Sequence, residues 1–266
     1  MTGGAIRRRD FLWAGLAPWT LGAQTRQPRL AILWIRAGSI PDEFARDSVV
    51  FPRAYAACPQ PGFARRALET GKFPHAFGAS DQGLRDLFAP PTSADDPNLI
   101  VVLTAESGDG DDSPFERSVR VPLAIRWPGR LTPRVAPEIL ISHVDLFPTL
   151  LSMADAPDPR PGTQGRDLSS LTAGGPGELP DSVYAEGRLG EKDEWRMVVR
   201  GFDKILFNLQ EEVTHQYNLA EDPEETNNLV HDRDHELTRD AMLALARVWM
   251  RRLGDGFDPS GLRRRP

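Results

Sequence analysis

Two short runs, apolar at nearly every position, constrain this chain most: Arg29-Leu30-Ala31-Ile32-Leu33-Trp34-Ile35 and Asn98-Leu99-Ile100-Val101-Val102-Leu103-Thr104. Runs of this kind are the pattern of strands in a parallel sheet covered on both faces. In such α/β sheets chemistry gathers where the strands end, so the segments after Ile35 and after Thr104 are the first places to look for a site. A further strand is expected over Arg120–Arg130, closed by Pro128-Gly129. Toward the C-terminus, Trp195–Arg200 and Lys204–Leu209 read as a hairpin around Gly201-Phe202-Asp203. A helix is expected from about Asp234, with Leu237, Ala241, Leu245, Trp249 and Leu253 on its packed face and Gly254 as its stop.

Residues 154–181 are rich in Pro, Gly and Asp and mark a boundary. The expected organisation is a leader over 1–23, a main α/β domain over 24–160, a linker over 161–181 and a C-terminal subdomain over 182–266. The leader is expected because Arg7-Arg8-Arg9-Asp10-Phe11-Leu12 precedes an apolar run ending at Ala23. That run is too short to span as an ordinary membrane helix, and the paired arginines resemble a twin-arginine export signal. Periplasmic or secreted localisation follows from it. With 32 Lys and Arg against 38 Asp and Glu, the chain has no basic block, which argues against nucleic acid as a partner. Cys58 is the sole cysteine, so no internal disulfide is available, and a lone cysteine is usually a small buried hydrophobe.

The stretch 51–75 carries the chemistry. A turn at Pro61-Gly62 leads into a short helix, Arg65-Arg66-Ala67-Leu68-Glu69, stopped by Thr70-Gly71. A helix start presents free N–H groups and the positive end of the dipole, and Arg65, Arg66 and Lys72 add full charges. The stretch is therefore a candidate oxyanion cradle, with Arg65 and Lys72 as anion contacts. His143 and Asp145 invite a triad with a serine, but His-x-Asp spacing does not aim one side chain at the other.

Arg65–Gly71 followed by Lys72-Phe73-Pro74-His75 resembles the tail of the signature of the type I sulfatases. These are the formylglycine-dependent arylsulfatases of the alkaline-phosphatase superfamily. Val121-Pro122-Leu123 through Pro128-Gly129, Ile141–Leu151, Gly165-Arg166-Asp167-Leu168 and Gln216–Leu229 resemble further segments of that family. The resemblance implies a mostly parallel central sheet covered by helices, with a small C-terminal antiparallel sheet and helix. It also implies where the catalytic groups should be, and there the chain departs. Counting back from Leu68 places Pro61 at the nucleophile, Phe63 at the motif proline and Ala64 at the motif serine; proline has no hydroxyl or thiol to oxidise. The two aspartates that end the family's first strand correspond to Gly38 and Ser39. Glu106 and Ser107 stand for the second pair of metal ligands, so Glu106 alone keeps a carboxylate. Only Ala76 to Pro97 occupies the region that in the family supplies a sulfate-binding histidine and lysine.

The expectation is a sulfatase-like protein inactive as a sulfuric ester hydrolase. No cofactor is expected, with calcium or magnesium only if the site at Glu106 survives. One alternative is a residual metal-dependent sulfate or phosphate ester hydrolase using Glu106 or the Asp109–Asp112 turn. The other is an anion-binding or accessory module that takes a sulfated or phosphorylated small molecule or glycan, or pairs with an intact sulfatase.

Overall fold

The computed structural model describes residues 28–36, 38–60, 62–77, 96–156, 162–208 and 210–255. The leader over 1–23, the Pro61 position and most of the 76–97 connector lie outside the described residues. The chain begins with strand β1 (Arg29–Trp34), a single helical turn α1 (Asp42–Ala45), β2 (Val49–Val50) and β3 (Ala54–Tyr55). Helix α2 (Phe63–Thr70) follows, then β4 (Leu99–Thr104), α3 (Glu116–Val119), β5 (Arg120–Val121), β6 (Leu123–Arg126), β7 (Arg134–Val135) and β8 (Ile141–Ser142).

The first sheet has the order β1-β4-β6-β2-β7. β1 is parallel to β4 and β7 to β2, while β6 is antiparallel to both of its neighbours. All its strands but β6 therefore run the same way, and the sheet is mostly parallel. β4 is buried at every position, as its uniformly apolar sequence requires. β1 pairs with it from Arg29 opposite Leu99 to Trp34 opposite Thr104, so the two strands end side by side.

The strand expected over Arg120–Arg130 is divided and shorter. Pro122 offers no N–H to a ladder, and the chain changes sheets there: β5 joins the three-stranded sheet β5-β3-β8, while β6 joins the first sheet and ends at Arg126. Helix α4 (His143–Met153) starts where the Asp145 carboxylate reaches back to take the Ser142 N–H at 2.9 Å, one half of a capping box. Its buried Leu146, Phe147, Leu150 and Leu151 join Leu30, Ile32, Ile100 and Val102 in the main core. Leu168, and Leu171 in the turn α5 (Ser169–Thr172), belong to the same core.

The C-terminal part comprises β9 (Ser182–Gly187), β10 (Trp195–Arg200), β11 (Asp203–Asn208), β12 (Val213–Asn218) and helix α6 (Glu236–Leu253). The strands form an antiparallel sheet in the order β12-β11-β10-β9. Its apolar residues Val183, Ala185 and Met197 meet Tyr55, Val119 and Leu140, and the Glu186 N–H donates to the Ala57 carbonyl at 3.0 Å.

Trp249 and Leu253 lie on the packed face of α6 as expected, and Leu245 packs against the same core, but toward the N-terminal end the expected row leaves that face. Met242, Ala246, Trp249, Met250 and Leu253 are buried, whereas Leu237 is 85% exposed and Ala241 is also exposed. Steps of four residues advance about 40° beyond a full turn each, so a row of i+4 positions winds around the helix. Over the four steps from Leu253 back to Leu237 the drift is about 160°, which carries Leu237 to the solvent side.

Candidate functional site

The parallel register of β1 and β4 places the chain after Trp34 beside the chain after Thr104, and the Ile35 N–H donates to the Thr104 carbonyl at 2.9 Å. Helix α2 starts against these strand ends. Gly62, with a φ of +82°, sets the entry of the helix, and its N–H donates to Glu106 Oε2 at 2.7 Å. Arg65 Nη2 donates to Glu106 Oε1 at 2.5 Å. Both oxygens of the one carboxylate retained at the strand ends are thus engaged by the chain itself. The Arg65 guanidinium also lies over the Trp34 ring, 5.0 Å from its centroid, a favourable cation–π position. Trp34, the last residue of β1, is a platform that sequence reasoning missed. Only its place at the end of an apolar run could have suggested it.

Lys72 stands just past the end of α2. The helix is closed by Gly71 in the left-handed region, φ +65°, and Lys72 follows about 10 Å of helical rise beyond Arg65. Arg66 lies over the Phe77 ring at 4.5 Å, and Phe77 stacks on Phe63.

His143 and Asp145 stand apart in function as well as in space. His143 Nε2 is 3.3 Å from Thr104 Oγ1, its ring meets Trp34 edge-on, and burial drives its pKa down to about 3. Asp145 accepts from the Ser142 and Arg166 N–H groups and from the Arg166 guanidinium. The pair holds the start of α4 and the Arg166 loop and forms no dyad.

Cys58 is fully buried, and burial pushes its thiol up to about 12. A thiolate is the reactive form. Against an ordinary cysteine near 8.5, labelling of the folded protein by Ellman's reagent is expected to be slowed about a thousandfold or more. Full labelling of native protein within minutes at pH 8 would contradict the burial of this thiol.

The donor set at the strand ends does not suit the divalent cation that the resemblance implies. Calcium takes six to eight oxygens and magnesium an octahedron of them. Gly38 has no side-chain oxygen, Ser39 and Ser107 offer uncharged hydroxyls, and Glu106 is committed to Arg65 and Gly62. In the Asp109–Asp112 turn, Asp111 accepts from the Ser118 hydroxyl at 3.3 Å.

Elsewhere, His75, Glu186 and Asp255 bring donor atoms within 4.8 Å of one another. A cation is already in place there. Arg196 donates to Asp255 at 2.6 and 3.0 Å, pairs with Glu194 at 2.9 Å and lies 3.5 Å from Glu186. His75 Nδ1 is 2.8 Å from Glu186. Burial disfavours the charged imidazole, yet the hydrogen bond and the charges of Glu186 and Asp255 outweigh it and hold the pKa above its ordinary value. This cluster ties the segment after α2 to the C-terminal sheet. No sequence signal links its members, which come from four separate segments.

A sequence model of the N-sulphoglucosamine sulphohydrolase C-terminal family matches residues 113–248, just over half of the chain. The chain belongs to the type I sulfatase family. An endo-4-O-sulfatase of Bacteroides thetaiotaomicron is 29% identical over 132 residues, which cover 45% of this chain and 25% of that protein. Human arylsulfatase A is 43% identical over 65 residues, 24% of this chain and 13% of the relative. The chain therefore spans a quarter or less of these curated sulfatases. Among solved structures, a 2-O GAG sulfatase superposes with a TM-score of 0.69 at 15% identity, covering 85% of this chain and 90% of that one. The fold that the resemblance implies is the observed one, with the mostly parallel sheet, the separate antiparallel sheet and the terminal helix all present.

Proposed function

We propose that this sulfatase-family chain does not hydrolyse sulfate esters. The observation that carries the reading is the closure of Glu106 by Arg65 and the Gly62 N–H, which engages both of its carboxylate oxygens. Sulfatase chemistry requires an activated nucleophile and a polarising cation. Pro61 offers no oxidisable side chain, and Gly38, Ser39 and Ser107 offer no carboxylate. The chain is exported by a twin-arginine signal over 1–23. It is built as a main domain over 24–160, a linker over 161–181 and a subdomain over 182–266. Among the described residues no helix is long and apolar enough to cross a membrane. Its role is that of an accessory or binding module for a sulfated or phosphorylated small molecule or glycan, or beside an intact sulfatase.

Release of nitrophenol from 4-nitrophenyl sulfate and 4-nitrophenyl phosphate, with calcium, magnesium or manganese at millimolar concentration, tests the central claim. No release above the metal-only blank is expected. Turnover that disappears on Glu106→Gln would establish the residual hydrolase instead.

A further inference from the structure

The mismatch between the strand-end residues and a divalent cation extends to what has replaced that cation. We propose that the Arg65 guanidinium serves as the fixed positive charge of this corner, so that Glu106 is held by a side chain instead of a metal. The proposal rests on the reading that the strand ends take no divalent ion. Three elements meet at the pair: Arg65 from α2, Glu106 from the turn after β4, and Trp34 from the end of β1. The guanidinium reaches the other two at once, donating to one carboxylate oxygen while its face lies on the indole. The second carboxylate oxygen is taken by the Gly62 N–H, whose position at the start of α2 also favours a negative charge.

The geometry gives Glu106 a charged partner without a metal. Beside a metal, Glu106 would be one ligand among several. Beside Arg65 its charge is balanced one to one, although the buried Arg65 Nε–H finds no acceptor. The side chains of Arg65 and Glu106 are 29% and 22% exposed, so the pair is partly shielded from solvent and salt screens it less than a surface pair.

The test is a double-mutant cycle in the full chain, read by thermal unfolding with and without 5 mM calcium or magnesium. The variants are Arg65→Met, Glu106→Gln and both together. The wild type is expected to be indifferent to either metal. Arg65→Met should lower the Tm by roughly 2–4 °C, the shift that accompanies about 1 kcal/mol in a chain of this size, and adding Glu106→Gln should restore part of that loss. Strictly additive effects of the two substitutions would overturn the proposal. Terbium, a calcium analogue excited through a nearby indole, gives a second readout, because Trp34 lies beside the pair. Saturable terbium emission from the wild type that is lost on Glu106→Gln would show that the site still takes a cation and would overturn the proposal. It would do so whether or not the nitrophenyl esters are turned over, and turnover without such emission would sink the non-hydrolytic reading alone.

Discussion

Replacing Arg196 by methionine is expected to destabilise the protein by on the order of 3–5 kcal/mol, the usual loss when one member of a buried ionic network is removed. Arg196 and Asp255 are each 3% exposed at the side chain, Glu194 is 4% exposed and Glu186 is fully buried. Without the guanidinium, three carboxylates remain in a space that water does not reach. His75 can answer only Glu186 directly, and the Tyr184 hydroxyl, 2.6 Å from Asp255, supplies a hydrogen bond but no charge. Burial pushes Asp255 toward protonation, but the bonds and charge of Arg196 hold its pKa below the ordinary value. The variant loses that balance. Methionine keeps most of the volume, so the loss reports charge and hydrogen bonding more than a cavity. Urea unfolding followed by tryptophan fluorescence measures it, and a change below about 1 kcal/mol would mean that the network is hydrated in solution.

How much of this molecule the sequence reveals depends on whether a feature is local. β1 and β4 are legible because burial on both faces leaves an unbroken apolar run, and the hairpin of β10 and β11 because its partners are adjacent along the chain. The split at Pro122 is legible in principle, since proline cannot donate to the ladder, but which sheet each half joins depends on partners far along the chain. Four-residue spacing finds Trp249 and Leu253 on the packed face of α6 but ignores the drift of the helix, which buries Met242 and Ala246 and exposes Leu237. At the candidate site, the substitutions at Gly38, Ser39 and Ser107 can be read directly. That Arg65 reaches Glu106 cannot, because the two residues are 41 apart in sequence and meet only through the docking of α2 on the strand ends.

The second large effect is expected at Lys204, whose ammonium is fully buried between Glu116 at 3.1 Å and Glu225 at 2.7 Å. The two acids are themselves linked, because Glu225 Oε2 accepts the Glu116 N–H at 2.5 Å while the Tyr55 hydroxyl donates to the other oxygen of Glu116. The cluster joins α3 and β3 of the main part to β11 and to the Asp222–Asn228 turn, so its loss loosens the C-terminal sheet from the sheet around β3. Lys204→Met should cost about 3–5 kcal/mol near neutral pH, and the loss should depend on pH with a definite sign. Burial already holds Glu225 above its ordinary pKa despite the attraction of Lys204, and without the ammonium its pKa rises further. A carboxyl group whose pKa is higher in the folded than in the unfolded chain favours folding fully only below its unfolded pKa, and that contribution is lost as pH rises through the folded value. The variant should therefore unfold more easily at pH 8 than at pH 5.5, by a wider margin than the wild type. Adding Glu116→Gln and Glu225→Gln removes both charges and should recover part of the stability and flatten the added pH dependence. Equal losses at the two pH values would show that Lys204 acts through packing alone.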